Sequence, residues 1–341
     1  MNEPGGVCVV PRVEGLGGPA SFFARLYAGL DQRGVTVTSS PLDPTCQAVL
    51  VIGGTRRVVE LLQAKRLGKR IVQRLNGMNW IHRRRFTGVR HFLRSEWNNL
   101  VLSITRRYIA DRIVYQSNFA RTWWQTAYGK TAAPGKVIYN GVDLQQFKPD
   151  GPQQRPEDHY RVLLVEGRLG GGYDVGLHNG VALTHLLNER MDRPVELMVV
   201  GEVPARLKAS IDGDHPGLVT WAGVKQRQNI PQIDRSAHVL FSADLNAACP
   251  NAVIEALACG LPVVSYATGS LPELIEGNAG LVVPWGSNFW KLEPPDLPIL
   301  ADATQRILND QMRFRPAARK RAETAFGLNQ MIDGYLDALF G

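Results

Sequence analysis

Cys249-Pro250-Asn251-Ala252-Val253-Ile254-Glu255-Ala256-Leu257-Ala258-Cys259-Gly260-Leu261-Pro262-Val263-Val264 reads as one complete helix-to-strand unit. Pro250 and Asn251 open a helix, small and apolar residues form its body, and Gly260 stops it. Proline suits a first turn and glycine the position past a helix end. Val263 and Val264 then enter a buried strand. Glu255 stands beside the helix start, where backbone N–H groups and the helix dipole favour a phosphate and a carboxylate can take a neighbouring hydroxyl. Spacing alone equally allows an ordinary helix-to-strand connection with Glu255 as a solvated surface residue.

The same grammar extends in both directions. Short β-branched runs at 7–10, 35–38, 48–52, 70–73, 112–115 and 136–139 alternate with helix-period segments such as Phe22, Leu26 and Leu30. Residues 145–160, with Pro149, Pro152 and Pro156, break the pattern and read as a linker. Strand-like runs resume at 161–165, 195–200, 217–221, 238–242, 263–266 and 281–283. Such alternation argues two α/β, doubly wound, Rossmann-like domains with a cleft at the carboxyl ends of their sheets. Leu328, Met331, Ile332, Tyr335, Leu336, Leu339 and Phe340 form a full apolar helical stripe, so the last helix must be buried. Residues 285–295 read as an irregular loop.

The chain has 341 residues, 44% hydrophobic and 21% charged, enough for two ordinary cores and unlike a disordered chain. Its first residues lack a secretory signal pattern and no run of 18 apolar residues occurs, so a cytoplasmic protein is expected. Cys8, Cys46, Cys249 and Cys259 lack metal-ligand spacing and read as buried thiols. The net charge of +8 is uneven. Between residues 65 and 112 stand Lys65, Arg66, Lys69, Arg70, Arg74, Arg83, Arg84, Arg85, Arg90, Arg94, Arg106, Arg107 and Arg112, against Glu96 and Asp111. Such a patch attracts phosphates of lipid headgroups, nucleic acid or a phosphate-bearing acceptor, or is a solvated face. Trp80, Phe86, Phe92 and Trp97 interleave with it. No nucleic-acid-binding module accompanies it.

Several residues are candidates for chemistry. Gly17-Gly18-Pro19 opens the first helix and lets backbone approach a ligand; Gly15-x-Gly17-x-x-Ala20 also fits a loose dinucleotide fingerprint, without an acidic residue closing the second strand. Arg168 ends the first strand of the second half, where a guanidinium suits a diphosphate. Asn76 follows the strand at 70–73, and His82 stands beside three arginines, the setting of a surface histidine. Asp212-Gly213-Asp214 precedes His215-Pro216-Gly217 in a polar turn, away from any strand end, which argues against a metal pair.

Taken in order, these motifs resemble the retaining glycosyltransferases of family 4 (glycosyl transferases group 1), which have the two-domain GT-B fold. Their signature is Glu, seven residues, Glu, then Ala-small-Ala-Cys-Gly-x-Pro-Val-Val. The resemblance implies that Glu255, the second glutamate, holds donor ribose hydroxyls with Asn251 nearby. The first glutamate is replaced by Ala247. It implies donor contacts for Gly17, Gly18 and Arg168; the lysine that usually follows the arginine is absent, leaving Gly170-Gly171-Gly172 or Lys225 and Arg227 as stand-ins. Asn76 takes the place of a histidine near the donor sugar, with His82 as its possible substitute, so these two are the catalytic candidates. Residues 140–143, Phe147 and Pro149 match the inter-domain segment. The implied organisation is an acceptor-side domain over 1–150, a nucleotide-sugar domain over 151–325 and a helix over 326–341 packing back toward the first. The implied reaction moves a sugar from a nucleotide-diphosphate co-substrate to an acceptor hydroxyl with retention, with no metal or other cofactor and no nucleic acid partner. The acceptor would be a glycan or lipid-linked, met at an anionic membrane surface through residues 65–112. A binding or scaffold protein that has lost catalysis with the residue at 247 is the alternative.

Overall fold

A computed structural model of the chain describes residues 5–13, 15, 17–170 and 174–341. They form two compact units, one of residues up to Gly141 plus Leu328–Gly341, the other Val142–Gly327. In the first unit the chain runs β1 (Gly6–Val10), α1 (Gly18–Asp31), β2 (Val37–Thr38), β3 (Cys46–Ile52), α2 (Val58–Arg66), β4 (Arg70–Leu75), α3 (Val89–Ile104), β5 (Arg112–Tyr115), α4 (Asn118–Tyr128) and β6 (Gly135–Val137). The six strands lie in the order β2-β1-β3-β4-β5-β6 and pair in parallel. The expected strand at 35–38 shortens to two residues because the Val35 N–H closes the end of α1 on the Leu30 carbonyl, 3.0 Å away.

In the second unit the order is β7 (Tyr160–Arg168), α5 (Val175–Arg190), β8 (Val195–Glu202), α6 (Ala205–Asp214), β9 (Val219–Gly223), α7 (Ile230–Arg235), β10 (Val239–Ser242), α8 (Asn251–Ala258), β11 (Val263–Tyr266), α9 (Leu271–Leu274), β12 (Gly280–Val283), α10 (Leu297–Asn309) and α11 (Gln311–Ala325). Its sheet has the order β12-β11-β10-β7-β8-β9, again all parallel. The strand expected at 217–221 starts later, because Gly217 has φ 76° and turns the chain out of α6. The loop at 285–295 is fastened to the core: Trp285 stacks edge-on to Tyr266 at 4.7 Å and donates its indole N–H to the Glu293 carbonyl.

The last helix, α12 (Leu328–Phe340), belongs to the first unit. Met331, Ile332, Tyr335 and Leu339 are buried in one cluster with Phe22, Leu26 and Leu30 of α1 and with Val9, Leu50 and Val72 of the sheet. Each fully buried side chain of this size contributes about 1.5–3 kcal/mol. The four cysteines are buried thiols outside any disulfide.

Candidate functional site

The sheet order of the second unit puts its first strand, β7, beside β10, with crossovers leaving in opposite directions. In open parallel sheets such a switch point is where ligands sit, outside the carboxyl ends of the strands. At the end of β7 the pairing with β8 slips between Val165 and Arg168. Gly201 permits this. It has φ 144°, and a Cβ there would lie 1.9 Å from the Glu166 carbonyl oxygen. Arg168 emerges from the slip exposed, and its guanidinium makes no hydrogen bond or ion pair among the described residues. A cation so placed is available to a diphosphate. Gly171 and Gly172, expected as a stand-in for the missing lysine, lie outside the described residues.

Beyond β10 the chain turns through Asn246, with φ 62°, and Ala247 into α8. Asn246 is buried, yet neither its carboxamide oxygen nor its nitrogen has a hydrogen-bond partner. The turn is held by the Ser270 N–H on the Ala247 carbonyl at 2.9 Å, and Gly269 gives it room, since a Cβ there would meet Ala247 backbone at 2.6 Å. Ser270 Oγ is a second buried, unpartnered polar atom. Native interiors satisfy nearly all such groups, so their concentration here marks a place where a polar ligand or water completes the bonding. Sequence reasoning saw only the missing glutamate at 247 and passed over its neighbour.

Pro250 ends the turn in an extended conformation and α8 begins at Asn251. Glu255 is 6% exposed, not a solvated surface residue. It faces Asp234 of α7: burial first, then the Glu255 charge, pushes the Asp234 carboxyl well above its usual range.

A second carboxyl pair stands at the strand ends. Burial, and next the charge of Asp244, raise Glu166 well above the ordinary glutamate value, and burial raises Asp244 to about 6. Glu166 lies in β7 and Asp244 just after β10, neighbouring strands far apart in sequence. Like carboxyls that interact so strongly titrate as a pair, one holding a proton near neutrality. No local signal marks this pair in the chain, because only the strand order brings it together.

In the first unit, Gly17 caps α1 and Gly18 begins it, both exposed, with Pro19 in the first turn. A Cβ on Gly17 would meet nothing closer than 3.8 Å, so an open surface lies beside it. Glu14 and Leu16 of the same loop lie outside the described residues. Asn76 follows β4; its side-chain oxygen accepts from Arg74 at 3.2 Å and its carbonyl from the Trp124 indole at 2.7 Å. His82 is not the surface residue its arginine neighbours suggested. It is 5% exposed and its Nε2 lies 2.6 Å from Glu96 Oε1, which anchors it to α3. Asp212 and Asp214 end α6 rather than forming a polar turn, and Asp212 accepts from the Trp221 indole at 2.8 Å.

The basic run at 65–112 is not one surface. Arg74 and Arg106 are buried: the first stacks 3.7 Å over the Phe22 ring and donates to Asn140 Oδ1 at 2.9 Å, the second donates to the Tyr115 hydroxyl. Arg70 and Arg112 hold the Gly341 carbonyl, and Lys65 pairs with Asp111 at 2.7 Å. Arg84, Arg85, Arg90, Arg94 and Arg107 are exposed. Phe86, Phe92 and Trp97 are exposed too, whereas Trp80 is half-buried.

Residues 161–310 match the family described as Glycosyl transferases group 1. The chain is similar to the amylovoran biosynthesis glycosyltransferase AmsK of Erwinia amylovora, 34% identical over 142 residues, covering 39% of this chain and 32% of that protein. It is also similar to the GDP-mannose-dependent alpha-(1-6)-phosphatidylinositol dimannoside mannosyltransferase of Mycobacterium tuberculosis, 28% identical over 223 residues, covering 62% of this chain and 53% of that protein. The chain thus spans about half the length, or less, of these curated relatives. Among solved structures, WaaG, a glycosyltransferase involved in lipopolysaccharide biosynthesis, superposes with TM-score 0.73 at 15% identity, over 98% of this chain and all (100%) of that one. HepE of Anabaena, solved with UDP-glucose, gives TM-score 0.70 at 17% identity, over 98% and 100%. At such identities the likeness shows the fold, which is GT-B.

Proposed function

We propose that this chain, whose residues 161–310 match the glycosyl transferases group 1 family, moves a sugar from a nucleotide-diphosphate sugar to an acceptor hydroxyl. The observation that carries this reading is the carboxyl edge of the second sheet. There the unpaired Arg168 cation at the end of β7 and the buried Glu255 of α8 flank a turn whose Asn246 lacks partners. Arg168 suits the diphosphate, Glu255 the ribose hydroxyls, and Asn246 a polar group of the donor sugar. Charge developing on the leaving diphosphate would meet a guanidinium already in place, which lowers the barrier without a covalent protein nucleophile or a metal ion.

The finer reading is transfer with retention, in the synthesis of a cell-surface glycan or glycolipid, by a cytoplasmic protein that meets its acceptor at an anionic membrane surface. The first unit is the proposed acceptor side; within it Gly17 and Gly18 are proposed donor contacts and Asn76 and His82 the catalytic candidates. His82 is tied to the Glu96 carboxylate, and the Asn76 side-chain oxygen accepts from Arg74, which leaves the Asn76 amide nitrogen to donate toward a sugar. The curated relatives support the class of reaction, since both are named as glycosyltransferases. Incubating the protein with labelled UDP-, GDP-, ADP- and TDP-sugars and a total lipid or glycan extract tests the reading. Transfer of label from one donor is expected; donor binding with neither transfer nor hydrolysis across the panel would leave the silent-binder alternative.

A further inference from the structure

The helix α3 is built inside out. Its only buried residues are the polar Ser95 and Asn99, and Asn99 is clamped to the Asn79 backbone by bonds of 2.8 and 3.1 Å. Its outward face carries Val89, Leu93, Trp97, Leu100 and Ile104, exposed by 66, 63, 61, 46 and 40%. Steps of four, four, three and four residues confine these side chains to an arc of roughly 80° at 100° per residue. Phe86 before the helix and Tyr108 after it are exposed as well. A soluble helix has the opposite arrangement, and a contiguous exposed apolar ridge marks a surface that something covers.

The charges beside the ridge say what covers it. Arg84, Arg85, Arg90, Arg94 and Arg107 are all exposed. Glu96 is the one acid between residues 76 and 110, and it is engaged: Arg83 donates to both its oxygens, at 2.6 and 2.7 Å, and His82 adds a third bond, so its carboxyl is pulled down to about 2. A second copy of this chain on the same face would set these arginines against their own copies. A bilayer with anionic headgroups offers an apolar layer and negative charge together, the pairing that holds interfacial helices. No helix among the described residues is long and apolar enough to cross a membrane, so the contact is one of lying on the surface.

We propose that the Val89–Ile104 ridge of α3, rimmed by Arg84, Arg85, Arg90, Arg94 and Arg107, seats the protein on an anionic bilayer, its apolar side chains entering the headgroup boundary. This rests on the membrane part of the proposed function and names the surface that performs it. It narrows the basic, aromatic-interleaved run over residues 65–112 to a short amphipathic element in which apolar contact is required.

The test is co-sedimentation of the full chain with phosphatidylcholine vesicles, with and without phosphatidylglycerol, in the absence of donor. Binding to the anionic vesicles only, weakening as salt rises, is expected. Two double variants separate the contributions: Leu93→Glu with Trp97→Glu, and Arg90→Glu with Arg94→Glu. All four side chains are exposed, so the fold should survive, as circular dichroism would verify. Each pair should weaken vesicle binding roughly tenfold or more. Equal binding by wild type and the Leu93/Trp97 variant would overturn the proposal. So would a concentration-dependent dimer that this variant dissolves without any vesicle binding. Donor binding, measured separately by thermal shift on the same variants, should be unchanged, so a failure here is distinguishable from failure of the transferase reading.

Discussion

Glu255, buried on α8 beside Asp234, is the residue proposed to take the donor ribose hydroxyls. Glu255→Gln retains shape and removes charge-assisted acceptance, so donor affinity should fall by about 1.5–3 kcal/mol in calorimetry; an unchanged dissociation constant would remove Glu255 from the site. Asn246→Ala deletes the unpartnered carboxamide. It should leave nucleotide affinity nearly intact and weaken the complete nucleotide-sugar, whereas equal losses for both would place Asn246 elsewhere. Asp244 gives a pH prediction. Its folded value, about 6, lies above the ordinary 3.8, so the fold favours the protonated form. The resulting stabilisation is present in full below the ordinary value and is lost as pH rises through 6. Asp244→Asn should match wild type near pH 4 and exceed it by on the order of 2 kcal/mol near pH 8, read from denaturant midpoints; parallel profiles would contradict the raised carboxyl. Of these residues only Glu255 is marked in the sequence, because its helix start and glycine stop are local signals. Asn246 is singled out only by its positive φ, and Asp244 only by the strand that becomes its neighbour.

Among the elements, strands and helices were easily read, since alternation of β-branched runs and apolar helical stripes is set by local periodicity. What periodicity cannot show is which side of a stripe meets the core. The stripes of α12 and α3 look alike in sequence; the first is buried against Phe22, Leu26 and Leu30, the second faces outward. The slip at the end of β7 was equally illegible, although Gly201 is its visible trace. Gly201→Ala should cost about 2–4 kcal/mol of stability, because its Cβ would press on the Glu166 carbonyl oxygen at 1.9 Å. Ile332→Ala, which empties a fully buried position of α12, should cost about 2–5 kcal/mol. Chemical denaturation measures both, and a loss under 1 kcal/mol at Ile332 would mean that α12 is not part of the core.

For the whole molecule, composition and charge fixed little beyond a folded protein with a basic bias. The fold class followed from the repeated strand–helix grammar, and the proposed chemistry rests on the helix at 251–258 with Arg168. The basic run was over-read as a single surface, because charge counting does not reveal that Arg74 and Arg106 are buried or that Arg70 and Arg112 hold the chain end. The central claim is that the second unit binds a nucleotide-diphosphate sugar at the carboxyl edge of its sheet. Thermal unfolding of the full chain with each of UDP-, GDP-, ADP- and TDP-sugars tests it directly. One donor at ~100 times its dissociation constant should add roughly 2.7 kcal/mol, with the shift reduced in Arg168→Ala and Glu255→Gln. No shift with any donor, or a shift indifferent to both substitutions, would contradict it.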